Sequence, residues 1–321
     1  MSGDVDSALR AAFGDARVSR NAPLAPYTTF RLGGPADWLV TTRTAAEIRD
    51  AILIAHAHAV PFCVIGGGSN LLVADEGVRG LVLRVHGGDV RRLDDSTLRA
   101  DAGVTINGLV RWTVSHALVG VEAWAGTPGT VGGAVYGNAH FQGRLISDLV
   151  VDVLVISRDG VTASIPSDQM EFGYDYSRLH RTGEVVLSAA FRVTRGDPDV
   201  LRETARASLA FRKRTQPLEK ASAGCIFQNP DPARDPIPPD MPASAGALVD
   251  RAGLKGRGEG AAHVSTRHAN FIVHDGSATA AQVSTLIDRC RREVREQFGV
   301  ELRDEIVRLG FDEGSHVHSH R

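Results

Sequence analysis

The spacing of apolar residues divides the chain into helical and extended stretches. Leu9, Phe13 and Val18 fall on one face of a short amphipathic helix within the first 20 residues. A turn-rich stretch, residues 21–35, follows, and residues 38–40 predict a short strand. Thr44-Ala-Ala-Glu47 has the form of a capping box. Behind it Ile48, Ile52 and Ala55 repeat at helical spacing. That helix runs into Val60-Pro-Phe-Cys-Val-Ile65, an apolar run suited to a buried strand, and a glycine cluster follows at once. Strand, helix, strand and glycine loop in this order are expected of an α/β nucleotide-binding unit.

Between residues 80 and 191 the pattern changes. Short β-prone runs recur at 81–85, 149–156 and 184–191, with one helix around 107–118. Residues 201–214 read as a helix, a break comes at Gln216-Pro217, and a proline-rich loop spans 229–242. The main domain boundary is therefore expected near Arg214. The second part holds one strong helix, opened by Thr279-Ala-Ala-Gln282 and carrying Val283, Ile287, Cys290, Val294 and Phe298 on its apolar stripe. Residues 314–321, with His316, His318 and His320, read as a solvated, disordered tail.

Composition narrows the function classes. An apolar fraction of 43% and a charged fraction of 23% are those of an ordinary globular protein. A net charge of −2 gives no reason to expect a nucleic-acid or membrane partner. No run approaches the roughly 18 apolar residues of a membrane span, and residues 1–18 lack the basic and apolar regions of a signal peptide. Cys63, Cys225 and Cys290 are far apart and odd in number, which argues against a disulfide framework. The cytoplasm is the expected compartment, and no metal site is expected.

Two glycine-rich segments carry the candidate chemistry. Gly66-Gly67-Gly68-Ser69-Asn70 follows the apolar run directly. Successive N–H groups there are suited to cradling a pyrophosphate, with Ser69 and Asn70 adding side-chain donors. The spacing is neither G-x-G-x-x-G nor G-x-x-x-x-G-K-[ST], so the two common nucleotide loops are excluded. The competing reading is a plain tight turn. The second segment, GTPGTVGGAVYGN at 126–138, has five glycines. Such density points to backbone packed against a flat ring or a diphosphate; a set of glycine turns is the alternative.

With their company, these segments resemble the UDP-N-acetylenolpyruvoylglucosamine reductases, also called UDP-N-acetylmuramate dehydrogenases. The resemblance runs through Asn21-Ala-Pro-Leu24, Tyr27-Thr-Thr-Phe-Arg-Leu-Gly-Gly34, the segments 64–73 and 126–138, and Phe172-Gly-Tyr174. It continues in Ser222-Ala-Gly-Cys-Ile-Phe-Gln-Asn-Pro230, Ala252-Gly-Leu-Lys-Gly256, residues 264–273 and residues 305–310. It covers roughly residues 20–310, in the family's order.

The resemblance implies an α+β protein: a two-lobed FAD-binding domain of the vanillyl-alcohol-oxidase type over 21–213, split near 84, then a smaller α+β substrate-binding domain over 214–311. An N-terminal helix or extension, 1–20, and a disordered tail, 312–321, flank them. A longer type in the family carries a tyrosine loop before the domain break. No tyrosine lies between Phe191 and Phe211, so the chain resembles the shorter type. The implied reaction is reduction of UDP-N-acetylglucosamine enolpyruvate to UDP-N-acetylmuramate by FAD and NADPH, with hydride to C3 and a proton to C2. The implied partners are small molecules only, and the implied state is a monomer.

Residue by residue, the resemblance puts the FAD on Gly66, Gly67, Gly68, Ser69, Asn70, Thr127, Gly132, Gly133, Ala134 and Asn138. Cys225 stands where the family has its proton-donating serine; the plainer reading of Cys225 is a small packed hydrophobe. Glu305 matches the family's catalytic glutamate, against a plain reading as part of a charged run. Tyr174 matches, but the family's next residue, an arginine, is here Asp175. Arg178 either reaches the same place from three residues on, or Tyr176-Ser-Arg178 is the true counterpart. A family lysine has no clean match, with Lys213 and Thr215 nearest. Asn229, Arg267 and His268 are the implied substrate contacts. Two other readings stay open: another FAD-linked oxidoreductase of the same flavin-domain superfamily, and a flavin-binding protein with impaired catalysis.

Overall fold

The computed structural model describes residues 2–311. The expected tail, 312–321, lies outside the described residues. Helix α1 (Ser2–Phe13) buries Leu9 and Phe13 as expected. Val18 is not on it: the chain breaks at Gly14, φ 76°, and Val18 begins strand β1 (Val18–Pro23). Its side chain still packs in the same core, which is why a helical stripe extended to it. The turn-rich reading of 21–35 thus gives way to strand for its first residues.

Strand β2 (Pro35–Thr42) leads into α2 (Ala45–Ala57). Thr44 caps α2 by accepting the Glu47 N–H. The reciprocal half of the box is shifted: Glu47 accepts from the Arg43 N–H at 2.7 Å and from Arg17 at 2.6 Å. Then come β3 (Phe62–Ile65), β4 (Leu71–Val73) and β5 (Val78–Val85). The first sheet has the order β1-β2-β5-β3, with β1 antiparallel and the rest parallel. Alternate residues of β5 enter two cores, Leu81 and Leu83 facing α2 and Val82 the opposite side. Burial on both faces accounts for the unbroken apolar runs of the parallel strands.

Next come β6 (Val90–Arg92), β7 (Thr97–Asp101), α3 (Ile106–Ser115) and α4 (Val131–Tyr136). They are followed by β8 (Val150–Ile156), β9 (Thr162–Pro166) and β10 (Val185–Arg192). Their sheet is antiparallel throughout, in the order β9-β8-β10-β7-β6. One core joins both sheets, from Leu9 and Ile52 to Leu98, Trp124 and Phe191. Helix α5 (Pro198–Thr215) lies against this part, burying Leu201, Ser208 and Arg212.

The remaining chain forms α6 (Ala245–Arg251), a small antiparallel sheet of β11 (Gly258–Glu259), β12 (Ala262–Val264) and β13 (Ile272–Val273), and α7 (Ala280–Phe298). Thr279 and Gln282 form the complete capping box, and Val283, Ile287, Cys290 and Val294 are buried. Phe30, Leu32 and Leu72 pack into the same core, although they come from the first part of the chain. The last strand, β14 (Val307–Leu309), returns to that first part and pairs in parallel with β4. This return places residues near 305 beside the first glycine segment.

Candidate active site

The glycines of the two segments face each other. A Cβ on Gly67 would lie 2.7 Å from Cα of Gly129, so the two backbones touch. Gly66 has Thr130 pressed against it and Gly68, at φ 61°, has the Tyr27 carbonyl. At Gly67 and Gly68 glycine is required because backbone meets backbone. The second segment is not a set of turns. Thr130 caps α4, which contains Gly132 and Gly133.

Both segments line a cleft of about 1290 Å³. That exceeds the roughly 300–1,000 Å³ of common ligand pockets, and suits an extended dinucleotide. Gly66, Gly67, Gly68, Ser69 and Asn70 are on its wall. So are Thr127, Gly132, Gly133 and Ala134. Among the described residues, the N–H groups of Gly67, Gly68 and Ser69 donate to no protein acceptor, as a pyrophosphate cradle needs. Asn138 is elsewhere: it is buried, off the wall, donating to the Gly173 carbonyl at 2.8 Å and accepting from the Ser147 N–H at 3.1 Å.

Cys225 and Glu305 meet on the same wall. The Glu305 N–H donates to the Ile226 carbonyl at 2.8 Å, which sets the two residues side by side. Asn70 ties in the glycine segment, its Nδ2 donating to the Glu305 carbonyl at 2.9 Å. Buried Asn270 braces the segment after Cys225, bonding the Phe227 N–H at 2.9 Å and its carbonyl at 2.7 Å. Burial, with the nearby Glu305 and Asp175 charges, pushes the Cys225 thiol well above its ordinary value. Burial, then Asp175, pushes the Glu305 carboxyl well above the carboxylate range.

The segment around Tyr174 divides. Asp175 lines the cleft, and His140 Nδ1 lies 3.1 Å from its Oδ1. Tyr174 is 45% exposed, its hydroxyl 3.5 Å from the Asn229 backbone N and Nδ2; burial, then Asp175, pushes it up to about 12. Arg178 is not on the wall. Its guanidinium forks onto Glu184 at 3.1 and 3.3 Å. Arg267 binds Glu219 at 2.9 Å, and the His268 ring is tilted 59° against Phe271; neither they nor Asn229 line the cleft.

Arg212, absent from the sequence reading, is a cation on the wall, as are Arg31, Arg84, Arg158 and Lys220. Its Nη2 donates to the Thr127 hydroxyl at 2.7 Å and its guanidinium lies 3.9 Å from the Phe141 ring centroid. Burial pulls it down to about 10, and its charge favours the Cys225 thiolate, though less than burial opposes it. The signal was present: Arg212 continues the helical stripe of Leu201, Ala205 and Ser208, where an arginine is out of place. His140 gave no signal, because its partner is 35 residues away.

Comparison with known proteins accords with this arrangement. Residues 36–165 match the family model of an FAD binding domain. Residues 216–309 match that of the UDP-N-acetylenolpyruvoylglucosamine reductase C-terminal domain. The UDP-N-acetylenolpyruvoylglucosamine reductase of Heliobacterium modesticaldum is 39% identical over 296 residues, 92% of this chain and 91% of its own. The chain belongs to the UDP-N-acetylenolpyruvoylglucosamine reductase family. The reductase of that name from Bacillus subtilis is 36% identical over 92% of this chain and 94% of its own. The crystal structure of the Thermus caldophilus reductase superposes with a TM-score of 0.74 at 34% identity, covering 91% of this chain and 99% of that one. Within the reductase family, the expected α+β fold with an FAD-binding domain is borne out, and the chain is an FAD-dependent oxidoreductase.

Proposed function

We propose that the protein reduces UDP-N-acetylglucosamine enolpyruvate to UDP-N-acetylmuramate in peptidoglycan precursor synthesis, with NADPH as the source of electrons. The observation that carries this reading is the meeting of Cys225 and Glu305 on the wall that both glycine segments line. Gly66, Gly67, Gly68, Ser69, Asn70, Thr127, Gly132, Gly133 and Ala134 would hold the FAD, which would supply the hydride for C3 of the enol ether.

The protein's own residues then have three tasks. Cys225 donates the proton that C2 takes; its raised affinity for that proton keeps the thiol loaded at neutral pH. The thiolate left behind lies within the field of Arg212, which also faces negative charge developing on the substrate carboxylate. Glu305, fixed through Ile226, supports the reacting end. Tyr174 and Asn229, joined at their side chains, form a second polar surface suited to the substrate's nucleotide end. Arg178, committed to Glu184, is the weaker candidate for the enolate cation. The same reading assigns 21–213 to FAD and 214–311 to substrate, with the protein a cytoplasmic monomer. No described helix is long and apolar enough to cross a membrane.

The test is to purify the protein, record its flavin absorbance, and follow NADPH oxidation with and without the enolpyruvate. Oxidation that requires the substrate is expected. Oxidation indifferent to it indicates another FAD-linked oxidoreductase. Bound flavin that NADPH does not reduce indicates impaired catalysis, and a protein that cannot be loaded with FAD overturns the reading.

A further inference from the structure

We propose that His140, Asp175 and Glu305 form a binding site for one divalent metal ion on the cleft wall. The three come from separate parts of the chain, and one ligand atom from each lies within 4.8 Å of the others. All three line the cleft. His140 Nδ1 and Asp175 Oδ1, 3.1 Å apart, are at the spacing of neighbouring ligands around one ion.

The scaffold holds these groups in place. Asn138 bonds the Gly173 carbonyl at 2.8 Å, fastening the segment that carries His140 to the turn that carries Asp175. That turn is closed by paired backbone bonds between Gly173 and Tyr176. Glu305 is pinned on both sides, through Ile226 and Asn70.

Charge is the second, independent argument. The Asp175 side chain is 10% exposed, and its Oδ2 is buried without a hydrogen-bond partner. Among the described residues no arginine or lysine pairs with Asp175 or Glu305. Arg178, nearest in sequence to Asp175, is held by Glu184, and Arg212 by Thr127. Two carboxylates this close in a partly buried site cannot both stay charged unless a cation sits between them. A protonated His140 supplies one charge, whereas a divalent ion supplies two and gives the Asp175 Oδ2 a partner. One nitrogen and two carboxylate donors suit Mn²⁺, Fe²⁺, Co²⁺ or Zn²⁺ better than Mg²⁺ or Ca²⁺. Three protein ligands leave coordination positions open to the cleft.

The role of the ion rests on the reductase reading. In that reaction charge gathers on an enolate of the substrate carboxylate. A bound divalent ion stabilises it as a Lewis acid, as metals do for other ene-diolates.

The experiment uses the full flavin-loaded protein after chelation, titrated with Mn²⁺ and read by the electron paramagnetic resonance of free Mn²⁺. One saturable Mn²⁺ per chain is expected, with affinity weakened about tenfold or more in Asp175→Asn and His140→Ala at unchanged flavin content. His316, His318 and His320 contribute a background common to all variants. Substrate-dependent flavin reoxidation should slow on chelation and recover with Mn²⁺ in the parent, and respond to neither in Asp175→Asn. Saturable binding that the two variants lose, in a protein that reduces no enolpyruvate under any condition, supports the site and overturns only the reductase reading. No saturable binding, or binding equal in parent and variants, overturns the site, even where turnover is normal.

Discussion

Asp75 holds α7 by its N-terminus: its carboxylate oxygens accept the N–H groups of Ala280 at 2.8 Å and Ala281 at 2.9 Å. Thr279 accepts the next one, from Gln282. With the Thr279 N–H held by the Gln282 side chain, all four free N–H groups at this helix end are satisfied, two of them from 205 and 206 residues away. Asp75→Ala is expected to cost about 1–2 kcal/mol, and Asp75→Asn less. Thermal unfolding of both, beside Thr279→Ala, measures this. A Tm unchanged in Asp75→Ala would show that the contact contributes nothing.

Gly67→Ala should part the two glycine segments, because its methyl would meet the Gly129 backbone at 2.7 Å. Overpacking of this kind costs roughly 1–3 kcal/mol. The expected product is a protein of lower Tm and a reduced ratio of flavin to protein absorbance. Gly173→Ala is the control, since its φ is not positive and a methyl there would meet nothing closer than the Tyr176 side chain at 3.7 Å.

Cys225→Ala is expected to slow flavin reoxidation by the enolpyruvate by about 10²-fold or more while sparing flavin reduction by NADPH. Arg212→Met should slow the same half-reaction by about 10²–10³-fold. Stopped-flow absorbance of the flavin separates the two halves. Equal loss of both in Cys225→Ala counts against a proton donor.

His268 supplies a pH signature. Burial, then Lys255, pulls it below its ordinary 6.5, and its Nδ1 accepts the Asn270 N–H at 3.3 Å, as a neutral ring does. The folded protein therefore binds this proton less tightly than the unfolded chain. Its contribution to stability is whole above the unfolded value and is lost as pH falls below it toward the folded value. His268→Gln should flatten the fall in Tm between about pH 7 and pH 5. Parallel curves for parent and variant would remove His268 as the cause.

Much of this architecture was legible in the chain. Helices α2 and α7 announced themselves through capping residues and a 3.6-residue apolar repeat, and β3 and β5 through apolar runs that parallel strands require. These signals are local, because each hydrogen-bonded turn or strand face is built from near neighbours. Where a local rule had two solutions the sequence misled: Val18 keeps its burial but in a strand, and the glycines at 132 and 133 lie in α4.

The sequence by itself determined the elements, the glycine segments and, through the order of its motifs, the family. It placed Cys225 and Glu305 as candidates without a reason for them to meet. The tertiary structure decided that β14 returns to β4 and so carries Glu305 to Cys225 and the first glycine segment. It turned Arg178 away to Glu184, brought Arg212 to the wall, and set His140 against Asp175. Such meetings have no period to read, because they depend on burial and charge summed over the whole fold rather than on the spacing of neighbours.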